Sequence, residues 1–238
     1  MREREPIFNA PGVVLAVLGA FVAVHGARRA FLSDEVDHQL LQLLAFDPAR
    51  LGSEAADIAG GQAAAIAQFV THAFLHLDLT HLVINSAWFL AFATPVARRL
   101  GFVRFIAFFV LCGIGGALLF LLFNSGRMVG ASGAVSGLMG AVLRFLYHPL
   151  SRGDAEALAG DAGRAPLLSL LASLADRRIL IAVAAWTLLN ILVAWAAPYV
   201  LGEHIAWEAH LGGFFTGLLT FGLFDPKPPV HHDSAPAE

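Results

Sequence analysis

The sequence predicts an all-α fold, a polytopic bundle of six transmembrane helices, and two observations carry that prediction. Apolar residues make up 58 % of the 238 residues, charged residues only 14 %, and the mean hydropathy is +0.70. A soluble domain of this size is roughly one quarter charged, so the surplus apolar surface must be solvated by lipid. The apolar residues also form six blocks, each close to the about 20 residues that a helix needs to cross a bilayer. These blocks cover residues 11–27, 79–97, 102–123, 129–147, 179–201 and 206–224.

The first block follows two arginines, Arg2 and Arg4, as the apolar part of a signal peptide would. His25 interrupts the small-residue pattern that a cleavage site before Ala27 requires. The sequence therefore predicts a retained first span. With it, the chain divides into a cytoplasmic N-terminus (1–10), a six-helix membrane domain (11–224) and a disordered cytoplasmic tail (225–238), which is polar and rich in proline.

Two loops differ in character. In the long first loop (33–66), Val36, Leu40, Leu41 and Leu44 recur near helical spacing, which predicts a short amphipathic helix, either at the interface or packed on the bundle. The loop 151–176 is polar and rich in glycine, and it predicts a flexible cytoplasmic connector.

Charge gives the orientation and excludes one class of partner. The net charge is −3, from 15 Lys+Arg and 18 Asp+Glu, so the chain has no basic face for nucleic acid. If the N-terminus is cytoplasmic, four of the 15 basic residues fall outside, namely Arg28, Arg29, Arg50 and Arg127. The other eleven fall inside, which satisfies the positive-inside bias and predicts that both termini are cytoplasmic.

Polar residues at membrane depth are costly and are candidates for function by default. They form three clusters, at the starts of the second, fourth and sixth spans, which the predicted orientation places toward the outer side. The clusters contain His72, His76, His81 and Asn85; then Gly130, Ser132, Gly133, Ser136 and Gly137; then Glu208, His210, Gly213 and Gly217. One shared site at one depth is the simplest interpretation.

The residue types suit acyl transfer. Ser132 stands where a helix begins, so its hydroxyl is uncrowded and close to the positive end of the helix dipole. His210 could act as its general base, and Glu208, two residues away, points to the other side of the helix, which leaves a Ser–His dyad. His81 and Asn85, spaced i, i+4, could direct donors at a developing oxyanion together with the Ser132 amide.

Glycine spacing supports the contact between the two helices that carry the dyad. Gly133 and Gly137 fall near one stripe of the fourth span, and Gly213 and Gly217 form a G-x-x-x-G on the sixth. Such stripes let two backbones approach closely, as a serine–histidine hydrogen bond between helices requires.

With these motifs the sequence resembles the rhomboid intramembrane serine proteases, in their six-span bacterial form. The matching residues are His72-x3-His76-x4-His81-x3-Asn85, Gly130-Ala131-Ser132-Gly133 and Ala209-His210-x2-Gly213-x3-Gly217, over roughly residues 69–224. The resemblance implies an endopeptidase in the bacterial inner membrane that cuts transmembrane segments of other proteins in the lipid bilayer and needs no cofactor. It also implies that Ser132 is the nucleophile, His210 the base and His81, Asn85 and the Ser132 amide the oxyanion site.

The sequence departs from the family pattern at two places. Ser136 occupies a position where the family often has a tyrosine that stacks on the catalytic histidine, and no Trp-Arg pair precedes His72. The first departure puts the orientation of His210 in question, and the second puts in question how the first loop is anchored.

Two other functions remain open. His72, His76 and His81 could ligate zinc in a membrane metallohydrolase, although the acidic ligand or H-E-x-x-H of such enzymes is missing. With the resemblance, His72 and His76 are instead expected to brace the first loop. The chain could also be an inactive rhomboid relative that binds transmembrane clients, although such relatives usually lose the serine or the histidine.

Three more polar residues are expected to have structural roles. Asp78 is expected to cap the second span, and Asn190 and Trp186 in the fifth span are expected to make interhelical contacts.

Overall fold

The computed structural model describes residues 10–52, 60–147, 167–200 and 205–226. Within these ranges the chain forms nine α-helices, joined in places by single 3₁₀ turns at Pro48–Leu51 and His72–Phe74. The helices are α1 Gly12–Phe31, α2 Asp34–Leu44, α3 Gly61–Thr71, α4 Leu79–Leu100, α5 Phe102–Phe123, α6 Ser132–Phe145, α7 Leu170–Ala175, α8 Arg177–Val200 and α9 Trp207–Phe224.

The predicted all-helical membrane bundle is confirmed. Helices α1, α4, α5, α6, α8 and α9 lie at the six apolar blocks, and α1, α4, α5 and α8 are long and apolar enough to span a membrane. Helix α9 has 18 residues and α6 only 14. Helix α6 occupies the centre: from Gly133 to Phe145 it is buried at every position except Met139, which is partly buried.

Glycines bring α6 and α9 into backbone contact. A Cβ added at Gly213 would overlap the carbonyl oxygen of Gly133, and one added at Gly217 would overlap that of Gly137. The absence of side chains on this seam is therefore what allows the first turns of α6 and α9 to lie against each other.

The first loop is fastened to the end of α1. Arg28 Nε donates to Asp37 Oδ1 on α2 at 2.6 Å, and Arg28 Nη1 donates to the His76 carbonyl oxygen at 2.9 Å. The hydrogen bond from Arg28 to the Asp37 carboxylate lowers the pKa of Asp37 below its ordinary value of 3.8. Arg29 donates to the Leu77 carbonyl oxygen. Two of the four arginines that the predicted orientation places outside thus tie α1 to the first loop. The predicted amphipathic helix is present as α2.

Two segments differ from the sequence interpretation. The end of the predicted flexible connector is packed: Leu167 is 2 % exposed, and Arg144 Nη2 donates to the Leu168 carbonyl oxygen at 2.9 Å. Asp225, expected to open the disordered tail, accepts from Arg99 Nε at 2.9 Å, and both side chains are buried. The remainder of the connector, 148–166, and of the tail, 227–238, lies outside the described residues.

Candidate active site

One cavity lies where α4, α6 and α9 begin. Its volume is about 770 Å³, and its lining includes His81 and Asn85 from α4, Ser132 from α6 and His210 from α9. These four side chains come from the three polar clusters, and the structure brings them together at one end of the bundle, as predicted.

Backbone geometry places Ser132 at the start of α6. Gly130 has φ +115°, a conformation that strains any L side chain, and a Cβ there would lie 2.6 Å from His81 Nε2. Glycine at 130 therefore permits both the turn into α6 and the approach of the His81 ring. Because Ser132 is the first residue of the helix, its backbone N–H has no partner four residues earlier within α6, and the helix dipole is positive there.

Ser132 and His210 are in direct contact across the α6–α9 seam. His210 Nε2 lies 2.9 Å from Ser132 Oγ, within the range of a serine–imidazole hydrogen bond. On the other side of the ring, His210 Nδ1 lies 2.9 Å from Asn190 Oδ1 on α8, and Asn190 Nδ2 donates to the Trp186 carbonyl oxygen at 2.9 Å. The serine, the imidazole and the Asn190 amide thus form one continuous chain of hydrogen bonds.

His81 and Asn85 line the cavity one helical turn apart. Asp78 caps α4, as expected, by accepting from the His81 backbone N–H at 2.8 Å. Asn85 Nδ2 donates to the His81 carbonyl oxygen at 3.0 Å, which occupies one of its two amide hydrogens. The Asn85 side chain is buried, and within the described residues its Oδ1 has no hydrogen-bond partner.

His72 and His76 lie behind the cavity and connect the first loop to it. His72 Nδ1 faces the Gln68 carbonyl oxygen at 2.7 Å, so it carries a proton, and the His72 carbonyl oxygen accepts from the Gly130 N–H at 2.9 Å. The His76 ring packs edge-to-face on Phe21 at 5.3 Å between centroids. Burial lowers the pKa of His72 to about 4 and that of His76 to about 3, so both rings are neutral near pH 7.

The geometry also bears on two other arrangements, a triad completed by Glu208 and a metal site. Glu208 accepts from Asn124 Nδ2, in the residue that follows α5, at 3.2 Å. The two groups that meet the His210 ring nitrogens are Ser132 and Asn190. In the part of the chain that the structure describes, no three His, Cys, Asp or Glu side chains are grouped so that they could share a metal ion.

Asn190 is the site residue that sequence reasoning assigned to packing alone. It does make the interhelical contact expected of it, but its partner is the ring of His210. The available signal was an amide in the middle of an apolar span, because such a group needs a partner within the bundle.

Comparison with known proteins agrees with this architecture. The family profile of the Rhomboid domain matches residues 63–225, a range that contains the hydrogen-bonded Ser132, His210 and Asn190 as well as His81 and Asn85. The chain belongs to the rhomboid family.

Individual rhomboid proteins match over part of their length. The rhomboid protease GlpG of Serratia proteamaculans is 30 % identical over 166 residues, which cover 70 % of this chain and 50 % of that protein. RHOMBOID-like protein 1 of Arabidopsis thaliana is 31 % identical over 156 residues, covering 65 % of this chain and 33 % of that protein. The rhomboid protease GluP of Bacillus subtilis is 33 % identical over 76 residues, covering 32 % and 15 %. The matched region therefore spans half or less of each of these relatives.

Proposed function

We propose that this rhomboid is an intramembrane serine endopeptidase that uses a Ser132–His210 dyad. The observation that carries the proposal is the 2.9 Å contact between His210 Nε2 and Ser132 Oγ, made inside a cavity and at a helix N-terminus. Two similar proteins that are named rhomboid proteases support the same reaction class. No cofactor takes part in this chemistry.

The dyad performs acylation and deacylation in turn. Ser132 Oγ attacks the carbonyl carbon of the substrate while its proton moves to His210 Nε2, and the tetrahedral intermediate collapses when that proton passes to the leaving amine. Water then attacks the acyl-serine and gives its proton to the same nitrogen, which returns it to Ser132 Oγ as the acid product leaves. Bond making and proton movement therefore balance with one histidine.

Negative charge on the carbonyl oxygen needs donors that are already in place. The Ser132 backbone N–H, the second amide hydrogen of Asn85 and the His81 ring all border the cavity and are proposed to supply them. The α6 dipole adds a favourable potential at the same point.

The length of α6 supports a substrate that lies within the membrane. Fourteen residues rise about 21 Å, whereas the hydrocarbon layer is about 30 Å thick, so a helix with its far end near the interface begins roughly 10 Å below the opposite surface. Apolar side chains such as Leu41, Ile84 and Ile205 line the cavity, while the exposed Asp78 and Thr80 offer a route for water. A transmembrane segment of another protein fits this environment.

The charge distribution supports a membrane orientation with both termini in the cytoplasm. The resemblance to six-span bacterial rhomboids is the reason for proposing the inner membrane of a bacterium. The cavity then opens to the outer side. A reporter fused after Glu238 should be cytoplasmic and one inserted near Gly52 external. Finding the two reporters on one side would contradict the six-span orientation.

The function is tested with purified protein in liposomes and a model single-span substrate. Wild type should cleave the substrate, Ser132→Ala should not, and His210→Ala should be nearly as inactive because a serine hydroxyl without a base is a poor nucleophile. Folded wild-type protein that binds the substrate without cleaving it would instead identify an inactive client-binding relative. Cleavage lost on chelation and restored by zinc would identify a metallohydrolase.

A further inference from the structure

The hydrogen bonds around Asn190 have only one consistent set of directions. The Trp186 carbonyl oxygen can only accept, so the amide nitrogen of Asn190 faces it and the amide oxygen faces His210. An amide oxygen also only accepts, so His210 Nδ1 carries the proton. His210 Nε2 is then left with a lone pair that points at Ser132 Oγ, which is the tautomer a general base requires.

Helix α8, which supplies Asn190, is held to the bundle by a narrow seam. Of its 24 residues only Ile179, Asn190 and Ala197 are buried. Ahead of Asn190, the side chains of Ala182, Val183 and Trp186 pack on a cluster that includes Phe214 of α9.

Past Asn190, the side chains of Ile191, Ala194 and Trp195 of α8 line a second cavity, of about 670 Å³. Trp207 and Glu208 at the start of α9 line the same cavity. The Asn190–His210 hydrogen bond therefore lies between the packed seam and this cavity.

We propose that Asn190 is a positioning residue that holds His210 in the tautomer and orientation that activate Ser132, so that the base is competent only while α8 is docked at this seam. This inference rests on the proposed protease function. Asn190 itself touches neither substrate nor reacting atoms; it acts through the imidazole. Any movement of α8 that breaks the bond leaves the His210 ring free to rotate or to change tautomer.

The test compares three variants of the full chain in liposomes, with kcat and KM measured on a single-span substrate across pH. Asn190→Ala should lower kcat about 10- to 100-fold, the cost of leaving a buried ring N–H without its acceptor, and should change KM less than about twofold. The rate at which a serine-directed fluorophosphonate labels Ser132 should fall by a similar factor.

Asn190→Asp is the conservative rescue. Its carboxylate still accepts from Nδ1–H, so most of kcat should return relative to Asn190→Ala. The carboxylate also stabilises the protonated imidazole, so the acidic limb of the kcat–pH profile should move to higher pH. This shift is a readout that helix packing alone would not produce, and it tests the inference even if Asn190→Ala folds poorly.

Leu189→Ala is the matched control, because it truncates the neighbouring side chain of α8, which is 51 % exposed, and leaves the packing of Trp186 on Phe214 intact. It should leave kcat and the kcat–pH profile unchanged. The inference is overturned if Asn190→Ala keeps wild-type kcat, if Leu189→Ala reproduces its loss of kcat, or if Asn190→Asp leaves the acidic limb in place. A wild-type protein that neither cleaves nor labels would contradict the protease function itself, whereas active wild type with unaffected Asn190 variants contradicts only this inference.

Discussion

The α6–α9 seam gives the sharpest mechanical prediction. In Gly213→Ala the new Cβ would lie 2.6 Å from the Gly133 carbonyl carbon and 3.2 Å from its Cα, and closer still to its oxygen. All three are backbone atoms of a buried helix, so none can rotate aside, and the helices must separate instead. Overpacking of this kind costs about 1–3 kcal/mol of folding free energy, against about 1 kcal/mol gained from the better helix propensity of alanine.

Separation of the helices should act on the dyad more than on folding. Gly133 follows Ser132 directly, and Gly213 lies three residues after His210, so a shift at the seam lengthens the 2.9 Å contact between Nε2 and Oγ. A misplacement of about 1 Å costs on the order of 10²-fold in rate. Gly213→Ala should therefore lose about 10²-fold in kcat while remaining folded.

Gly222→Ala is the matched control on the same helix. A Cβ there meets its nearest neighbour, Arg144 Nη2, at 3.5 Å, an ordinary contact. This variant should cleave at the wild-type rate and melt no lower than wild type. The assay is cleavage of a single-span substrate, with thermal unfolding in detergent measured on the same preparations. A folded Gly213→Ala protein with wild-type kcat would refute the argument that the glycine seam sets the dyad distance.

Three further expectations follow from the site. His81→Ala and Asn85→Ala should each lower kcat roughly 10²–10³-fold with little change in KM. The double variant should lose less kcat than the product of the two single losses, since both donors share one oxygen, and multiplicative losses would contradict this. Cleavage should survive strong chelation, whereas inhibition reversed by zinc would contradict the dyad. Thermal stability should fall as pH drops from about 6.5 toward 4, because the unfolded chain binds protons on His72 and His76 in this range and the folded chain does not. In the folded chain, burial lowers the two pKa values to about 4 and 3. His72→Gln should make the dependence of stability on pH less steep, and an unchanged slope would show that His72 is not buried in its neutral form.

The fold was largely readable from the apolar blocks, because length and hydropathy alone define a membrane span. Helix α5 matches its predicted block, 102–123, at both ends. Helix α6 begins three residues later than its block, because Met128 is bridged to Phe46 and Gly130 adopts a positive φ, and both hold the chain out of the helix.

Contacts between distant residues were not readable in this way. The partner of Asp225 is Arg99, 126 residues earlier, so the sequence could present Asp225 only as the start of a polar tail. Arg28 likewise appeared as an exception to the charge bias, and its pairing with Asp37 and the His76 carbonyl depends on how the first loop folds back.

The orientation of His210 shows the same limit at the site. With serine at position 136, the sequence left open what holds the imidazole, and no spacing rule connects residue 190 to residue 210. Only the rotation of α8 about its axis, set by the packing of Trp186 and its neighbours, turns Asn190 toward the ring.

Covalent labelling is the decisive test of whether Ser132 is a nucleophile that His210 activates. Purified protein in liposomes is treated with a fluorophosphonate, and the modified residue is located by mass spectrometry of the peptides. We expect one adduct, on Ser132, that is absent in Ser132→Ala and forms much more slowly in His210→Ala, in parallel with loss of substrate cleavage. Cleavage by folded Ser132→Ala protein at the wild-type rate, or a wild-type protein that cleaves while its adduct forms elsewhere, would contradict it.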